Sequence, residues 1–290
     1  MHRRRVRPRW SSGRVRHHEH RGDLYAAADV PVLRQLFDPV PIVMAFALIS
    51  VILLVAYEVG FRVGRWYQRR TPGIQEGPTD MLVGSMLALL AFLLAVTMGM
   101  AADRYDARRA LVIEDANAIE VAYLQAGYLP ARESEATRAL LREYAPLRVN
   151  VGDLVRQEDD FARSEAIHDE LWAIVEPLAR DQGSDVVALY VQSLSDLIEL
   201  HETRVAALLY GRVPETVVLL LICGSALSLG MVGYSAGLTG HRSVLTAVVL
   251  VLALSAVLTL VLDLDRPLDG FVQVSQQPIL DVVDDIGPPP

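Results

Sequence analysis

Four stretches of this chain carry no charged residue: 39–57, 81–102, 216–240 and 243–262. Each is close to the roughly 17–25 residues that take a helix across ~30 Å of hydrocarbon. A core helix of a soluble protein seldom runs so far without a charge, so the pattern predicts four membrane-spanning helices. The third stretch opens after Glu215 and is rich in glycine, yet it is still long enough.

The intervening residues, 103–213, read as polar helices. No Gly or Pro occurs from Met100 to Ala126, so the second span is expected to run on into this region and to stop near Leu129-Pro130. Leu140, Tyr144, Leu147, Val151 and Leu154 form an apolar stripe of helical period, with Pro146 demanding a kink or an early stop. Ile167, Leu171, Ile174 and Leu178 mark another helix, with Ser164 as its expected N-cap. A further one after Ser184 carries Val187, Val191, Leu194, Ile198, His201, Val205 and Leu208, and "GRVP" at 211–214 separates it from the third span. No strand alternation and no repeat competes with this reading. The expected fold is an all-α membrane protein with an extramembrane antiparallel helical domain inserted between spans two and three. The segments are an Arg-rich disordered tail at 1–38, spans at 39–102, polar helices at 103–213, spans at 214–262 and an acidic end at 263–290.

Two spans carry stripes of small residues. Gly84, Ala88, Ala91, Ala95 and Gly99 follow one another at steps of three and four, continued by Ala102; Ala226, Gly230, Gly233 and Gly237 do the same. Lipid supplies no hydrophobic drive for helix association, so such stripes serve close backbone packing. A pore-lining face is the alternative.

Composition adds little about chemistry and something about topology. The net charge is -8, and all 27 basic residues are arginine. Residues 103–213 hold 21 acids against 12 arginines, whereas the first 38 hold nine arginines against four acids. That tail lacks the apolar segment and cleavage site of a signal peptide and suits anionic lipid heads; nothing folded accompanies the charge, so no nucleic-acid partner is expected. Arg62, Arg65, Arg69 and Arg70 follow the first span and pull their loop toward the cytoplasm, while the tail and Arg104, Arg108, Arg109, Arg204 and Arg212 pull the other side. The larger number favours a cytoplasmic tail and central domain. Cys223, the only cysteine, sits in the third apolar stretch and reads as a packing residue.

No catalytic signature is present: no G-x-S-x-G, H-E-x-x-H, P-loop or C-x-x-C. His201, beside Glu202 and Arg204, reads as part of a helix-surface network; His168, Asp169 and Glu170 read as a solvated face. "EDD" at 158–160 reads as a loop or helix start, where acids suit the dipole. Asn117, mid-helix in "EDANAIE", is either a surface polar residue or a buried interhelical hydrogen bond that fixes register.

Taken as a set, "RYDARR" (104–109), "EDANAIEVAYLQAGYLP" (114–130), "LLREYAPLR" (140–148), "LHETR" (200–204), "RVP" (212–214), "GYSAG" (233–237) and "DLDRPLDGFVQVSQQP" (263–278) resemble the bacterial bestrophin-like domain family of unknown function. The likeness runs in order from about residue 42 to 285. Glu120, Gln125 and Glu199 depart from it, standing where that family usually has glycine, arginine and aspartate. The resemblance implies kinship with bestrophins, which are pentameric anion channels with four membrane helices, a helical cytosolic region and an acidic calcium-binding cluster after the last membrane helix. "DLDRPLD" is similar to that cluster in placement. The implied protein is a multi-pass, homo-oligomeric ion channel of the inner membrane with anions as its cargo; a non-transporting signalling or scaffold protein is the alternative, and an enzyme is not expected.

The end of the fourth span poses its own question, because Asp263 and Asp265 stand where the helix already carries partial negative charge. Pro267 requires the helix to stop. The expectation is that Arg266, or arginines of "RYDARR" (Arg104, Arg108 and Arg109, with Asp106 among them), neutralise these carboxylates. The alternative is a cation such as Ca2+ held by Asp263, Asp265 and Asp269, although an EF-hand is a poor match.

Overall fold

The computed structural model describes residues 40–70, 79–149, 154–182, 184–240, 243–266 and 270–288. The described residues form helices α1 (Ile42–Arg70), α2 (Thr79–Ala126), α3 (Ala131–Leu147), α4 (Leu154–Gln182), α5 (Asp185–Tyr210), α6 (Glu215–Thr239), α7 (Val244–Asp265) and α8 (Gln277–Ile286). The Arg-rich tail, Pro267 and Asp269 lie outside the described residues. Four helices, α1, α2, α6 and α7, are long and apolar enough to cross a membrane. Their large outward side chains, Met81, Phe92, Leu227 and Leu245 among them, are exposed on the chain, as lipid-facing surfaces require.

α2 is one helix of 48 residues, roughly 72 Å long at 1.5 Å per residue, about twice what a bilayer core needs. Its two halves serve separate cores. The first half packs Leu90 and Leu94 with Ile49, Leu53 and Tyr57 of α1, Leu221 and Leu229 of α6, and Val251 and Leu258 of α7. The second half packs Val112, Ala116, Ile119 and Ala122 against Leu141 and Tyr144 of α3, Ile167 and Leu171 of α4, Tyr190 and Leu194 of α5, and Ile279, Val282 and Ile286 of α8. A small cluster of Ala101, Val213, Val261 and Leu264 joins them.

α3 ends one residue past Pro146, so the proline gives the early stop rather than a kink. The stripe therefore does not continue: Val151 lies outside the described residues and Leu154 opens α4. α4 starts ten residues before the expected cap. Ser164 lies inside it, buried, its hydroxyl donating to Asp160 O at 2.7 Å, and "EDD" 158–160 falls within its early turns. Acids and a serine resemble a helix start wherever they cluster, which is why the expected cap falls inside α4. Ser184 precedes α5 and accepts the Val187 amide at 3.3 Å, a cap that the sequence pattern does not single out.

The α6 stripe lies against α1. A Cβ added at Gly233 would stand 2.1 Å from Tyr57 O, and one at Gly60 would stand 1.9 Å from Gly230 O. Only hydrogen fits between these backbones.

Three outcomes follow from this packing. Gly233→Ala must spread α1 from α6 and is expected to cost about 1–3 kcal/mol in thermal unfolding. Gly84→Ala meets nothing within 4 Å and should leave the melting midpoint unchanged or raise it. Because α8 shares a core with α3, single cysteines at Glu135 and Ser275 should react from the same side of the membrane; opposite accessibility would overturn that topology.

Candidate functional site: a polar core and the outer face of the long helix

The polar core is built where α2, α3, α4 and α5 meet. Val112, Ala116 and Ile119 define the inward stripe of α2, and Asp115 shares that stripe with no exposure at all. Its Oδ2 accepts from Arg148 Nε at 2.9 Å and from Arg204 Nη1 at 2.6 Å. Arg148 is placed by the stop of α3, being the residue after its last turn. Arg204 and His201 come from the inward face of α5, three residues apart. Arg148 Nη1 lies 2.7 Å from His201 Nδ1; a guanidinium has only donors, so Nδ1 is the acceptor. The Tyr144 hydroxyl lies 3.4 Å from the same nitrogen, and burial pushes its pKa well up. The His168 ring stands edge-on to His201, centroids 4.8 Å apart. Burial and the Arg148 charge hold the His168 imidazole down at about 4. Arg204 Nη2 donates to Gln276 Oε1 at 2.8 Å, which brings in the C-terminal segment.

His201, Arg204 and His168 are thus buried, where a surface network and a solvated face were expected. His201 stands on the apolar stripe expected for α5, so its burial follows from that stripe; Arg204 joins the same face with Leu197 and Val205, where its charge suggests solvent. Asp115 and Arg148 escape sequence reading, because a single carboxylate inside an apolar stripe is the only local signal. Asn117 points the other way. It is exposed on the chain and lines an open groove of about 590 Å³ between α2 and α5, beside Glu114, Asp196 and Glu199, so within the chain it is no buried interhelical bond.

The end of α7 departs from expectation at Asp263 and follows it at Asp265. Asp263 is buried, but backbone amides hold it: Phe271 N donates to Oδ1 at 2.9 Å and Val272 N to Oδ2 at 3.0 Å. Gly270 permits this. Its φ is +144°, and a Cβ there would stand 2.3 Å from Asp263 Oδ1. Asp265 accepts the Val213 amide at 2.6 Å. Arg108 serves this end in two ways, its Nη2 donating to Leu264 O at 2.5 Å and its charge attracting Asp265, whereas Arg266 Nη1 donates to Val40 O ahead of α1 at 3.0 Å. Arg104, Asp106 and Arg109 remain exposed and stay outside this junction. Among the described residues no arginine pairs with Asp263, and no group of three acidic, histidine or cysteine side chains could hold a metal.

The small-residue stripe of α2 has no partner within the chain comparable to that of α6. Gly84, Ala88, Ala91, Ala95 and Gly99 are all exposed, and a Cβ at Gly84 or Gly99 would meet nothing within 4 Å. Ser85 and Thr97 turn their hydroxyls onto their own helix, at Met81 O and Leu93 O, both 2.8 Å.

The family model of the Bestrophin-like domain matches residues 42–279. Solved structures share the fold. A single-residue variant of a bacterial bestrophin homologue from Klebsiella pneumoniae superposes with a TM-score of 0.62 at 17% identity, covering 84% of this chain and 98% of that one. The form of that homologue phased on zinc gives 0.59 at 18% identity, covering 84% and 95%. A variant described as a membrane protein gives 0.60 at 16%, covering 84% and 95%. No curated protein matches the chain.

Asp115→Asn leaves two buried guanidinium groups without a carboxylate and should cost about 3–5 kcal/mol of stability in thermal or denaturant unfolding. His168 is neutral when folded, so the unfolded chain binds the extra proton as pH falls below about 6.5. Stability should therefore drop between pH 6.5 and 4 by up to roughly 3 kcal/mol more in the wild type than in His168→Gln, and the difference should level off below pH 4.

Proposed function

Since the chain belongs to the Bestrophin-like domain family, we propose that it assembles as a homo-oligomer in the inner membrane and conducts ions, with anions as the permeant species. In this reading α3, α4, α5, α8 and the far half of α2 form an extramembrane domain inserted between the second and third spans. The ion path follows the first half of α2. The observation that carries the proposal is the contrast between the two small-residue stripes. That of α6 is consumed against α1, whereas that of α2 stays open along the whole membrane portion.

Small side chains leave room for a path when copies of α2 surround an axis. The first half of α2 contributes no charge between Met81 and Ala102, which suits passive permeation through an apolar constriction. It does not suit proton-coupled transport, which uses intramembrane carboxylates.

Purified protein in liposomes tests the reading. Chloride flux should exceed that of empty vesicles, and Ala91→Leu, which adds three carbons to the stripe, should reduce it severalfold with oligomer size retained. Absence of ion flux from a folded oligomer would overturn the channel in favour of a scaffold. Unchanged flux in Ala91→Leu would move the path off this face, and a change in oligomer size would assign the stripe to subunit packing instead.

A further inference from the structure

The end of α1 remote from the polar core has a feature that permeation does not use. Over its last nine residues α1 carries Arg62, Arg65, Arg69 and Arg70 with Trp66 and Tyr67. Positions 62, 65, 66 and 69 follow steps of three and four and so share one face. All four are exposed. The adjoining face, Tyr57, Phe61 and Gly64, is the one buried against α6. Arg70 lies over the Trp66 ring at 4.1 Å and Arg65 over Phe61 at 5.8 Å, so the aromatic rings support the guanidinium groups from below. The acid on this face, Glu58, is one turn nearer the membrane centre and binds Arg62 at 3.0 Å. At the start of α2, Asp80 is occupied by the Ser235 hydroxyl of α6 at 2.8 Å. Tyr67 meets Tyr234 of α6, which sets all three helix ends at one level.

We infer that this face is a binding surface for the phosphate of anionic phospholipids. The charge is complementary, the guanidinium fork suits phosphate oxygens, and the position is the bilayer interface, where tryptophan and tyrosine settle. A lipid can reach it from the side, with its acyl chains against the exposed Val55, Val59 and Val63 of the same helix. The surface anchors one end of α1, and through the Gly60–Gly230 and Gly233–Tyr57 contacts it anchors α6 as well.

Trp66 is the reporter. The full chain with Trp10→Phe and Trp172→Phe is reconstituted in phosphatidylcholine with a minor fraction of brominated phosphatidylglycerol, or with the same fraction of brominated phosphatidylcholine. The anionic quencher is expected to enrich beside Trp66 and quench severalfold more. Each Arg→Gln change at 62, 65 or 69 should lower that enrichment about fivefold, while Lys at all three positions should retain most of it. Equal quenching by the two lipids would overturn the inference, as would enrichment that persists in the triple Gln variant. Displacement by inorganic phosphate at constant ionic strength would also overturn it, assigning the face to a small anion. Should the triple Gln variant fail to fold, the salt dependence of quenching with the arginines in place answers the same question. Enrichment should fall as salt rises, and enrichment indifferent to salt would overturn the inference.

Discussion

The carboxylate of Asp115 is the constraint on which the polar half of the molecule depends. A buried charge is tolerated only when it is paired and hydrogen-bonded, and both of its partners come from elsewhere in the chain. Arg148 comes from the stop of α3 and Arg204 from α5, and Arg204 carries on to Gln276 ahead of α8. One oxygen thereby fixes the register of three helices and the C-terminal segment. A hydrophobic trio in the same place could equal it in stability. It would not impose one rotation on α2, because apolar contacts are non-directional whereas the guanidinium groups must reach a single oxygen.

The same logic governs the other end of the C-terminal segment. The last turn of α7 leaves carbonyls without helical partners and carries negative partial charge. Arg108 answers the carbonyl at Leu264, and this lets two aspartates occupy a terminus that would otherwise repel them. Asp263 then binds the amides of Phe271 and Val272, giving partners to two donors that lie outside any helix. The turn at Gly270 and the segment after it are held by Asp263 at one end and by Gln276 at the other. Between them, the Tyr105 hydroxyl donates to Gln273 O at 3.4 Å.

α2 links these two sites because it is continuous. A single helix carries Gly84 to Gly99 in the membrane, Arg108 at the junction and Asp115 in the polar core. A rotation about its axis, set at Asp115, is inherited by the open small-residue face. The polar core therefore bears on the membrane face through a rigid rod rather than through a chain of side-chain contacts. Neither half of α2 can turn without disturbing the other.

The sequence by itself determined four apolar spans, the long run of α2, a kink or stop at Pro146 and the break of α7 ahead of Pro267. All of these follow from local rules: apolar length and the absence or presence of glycine and proline. It also carried the family likeness in short motifs spread along the chain. Only the tertiary structure decided which polar residues turn inward. His168 and Arg204 sit among charges in the sequence and are buried in the fold, because the inward face of α4 and α5 is set by their partners and not by their neighbours. Only the tertiary structure could distinguish the two small-residue stripes, which are alike in spacing. Gly233 has a backbone against it and Gly84 has none, a difference made by where α1 lies. The aspartates at the end of α7 show the same division. Their presence is legible as an electrostatic problem, but its solution requires amides eight and nine residues away, brought back by a turn that only glycine can make.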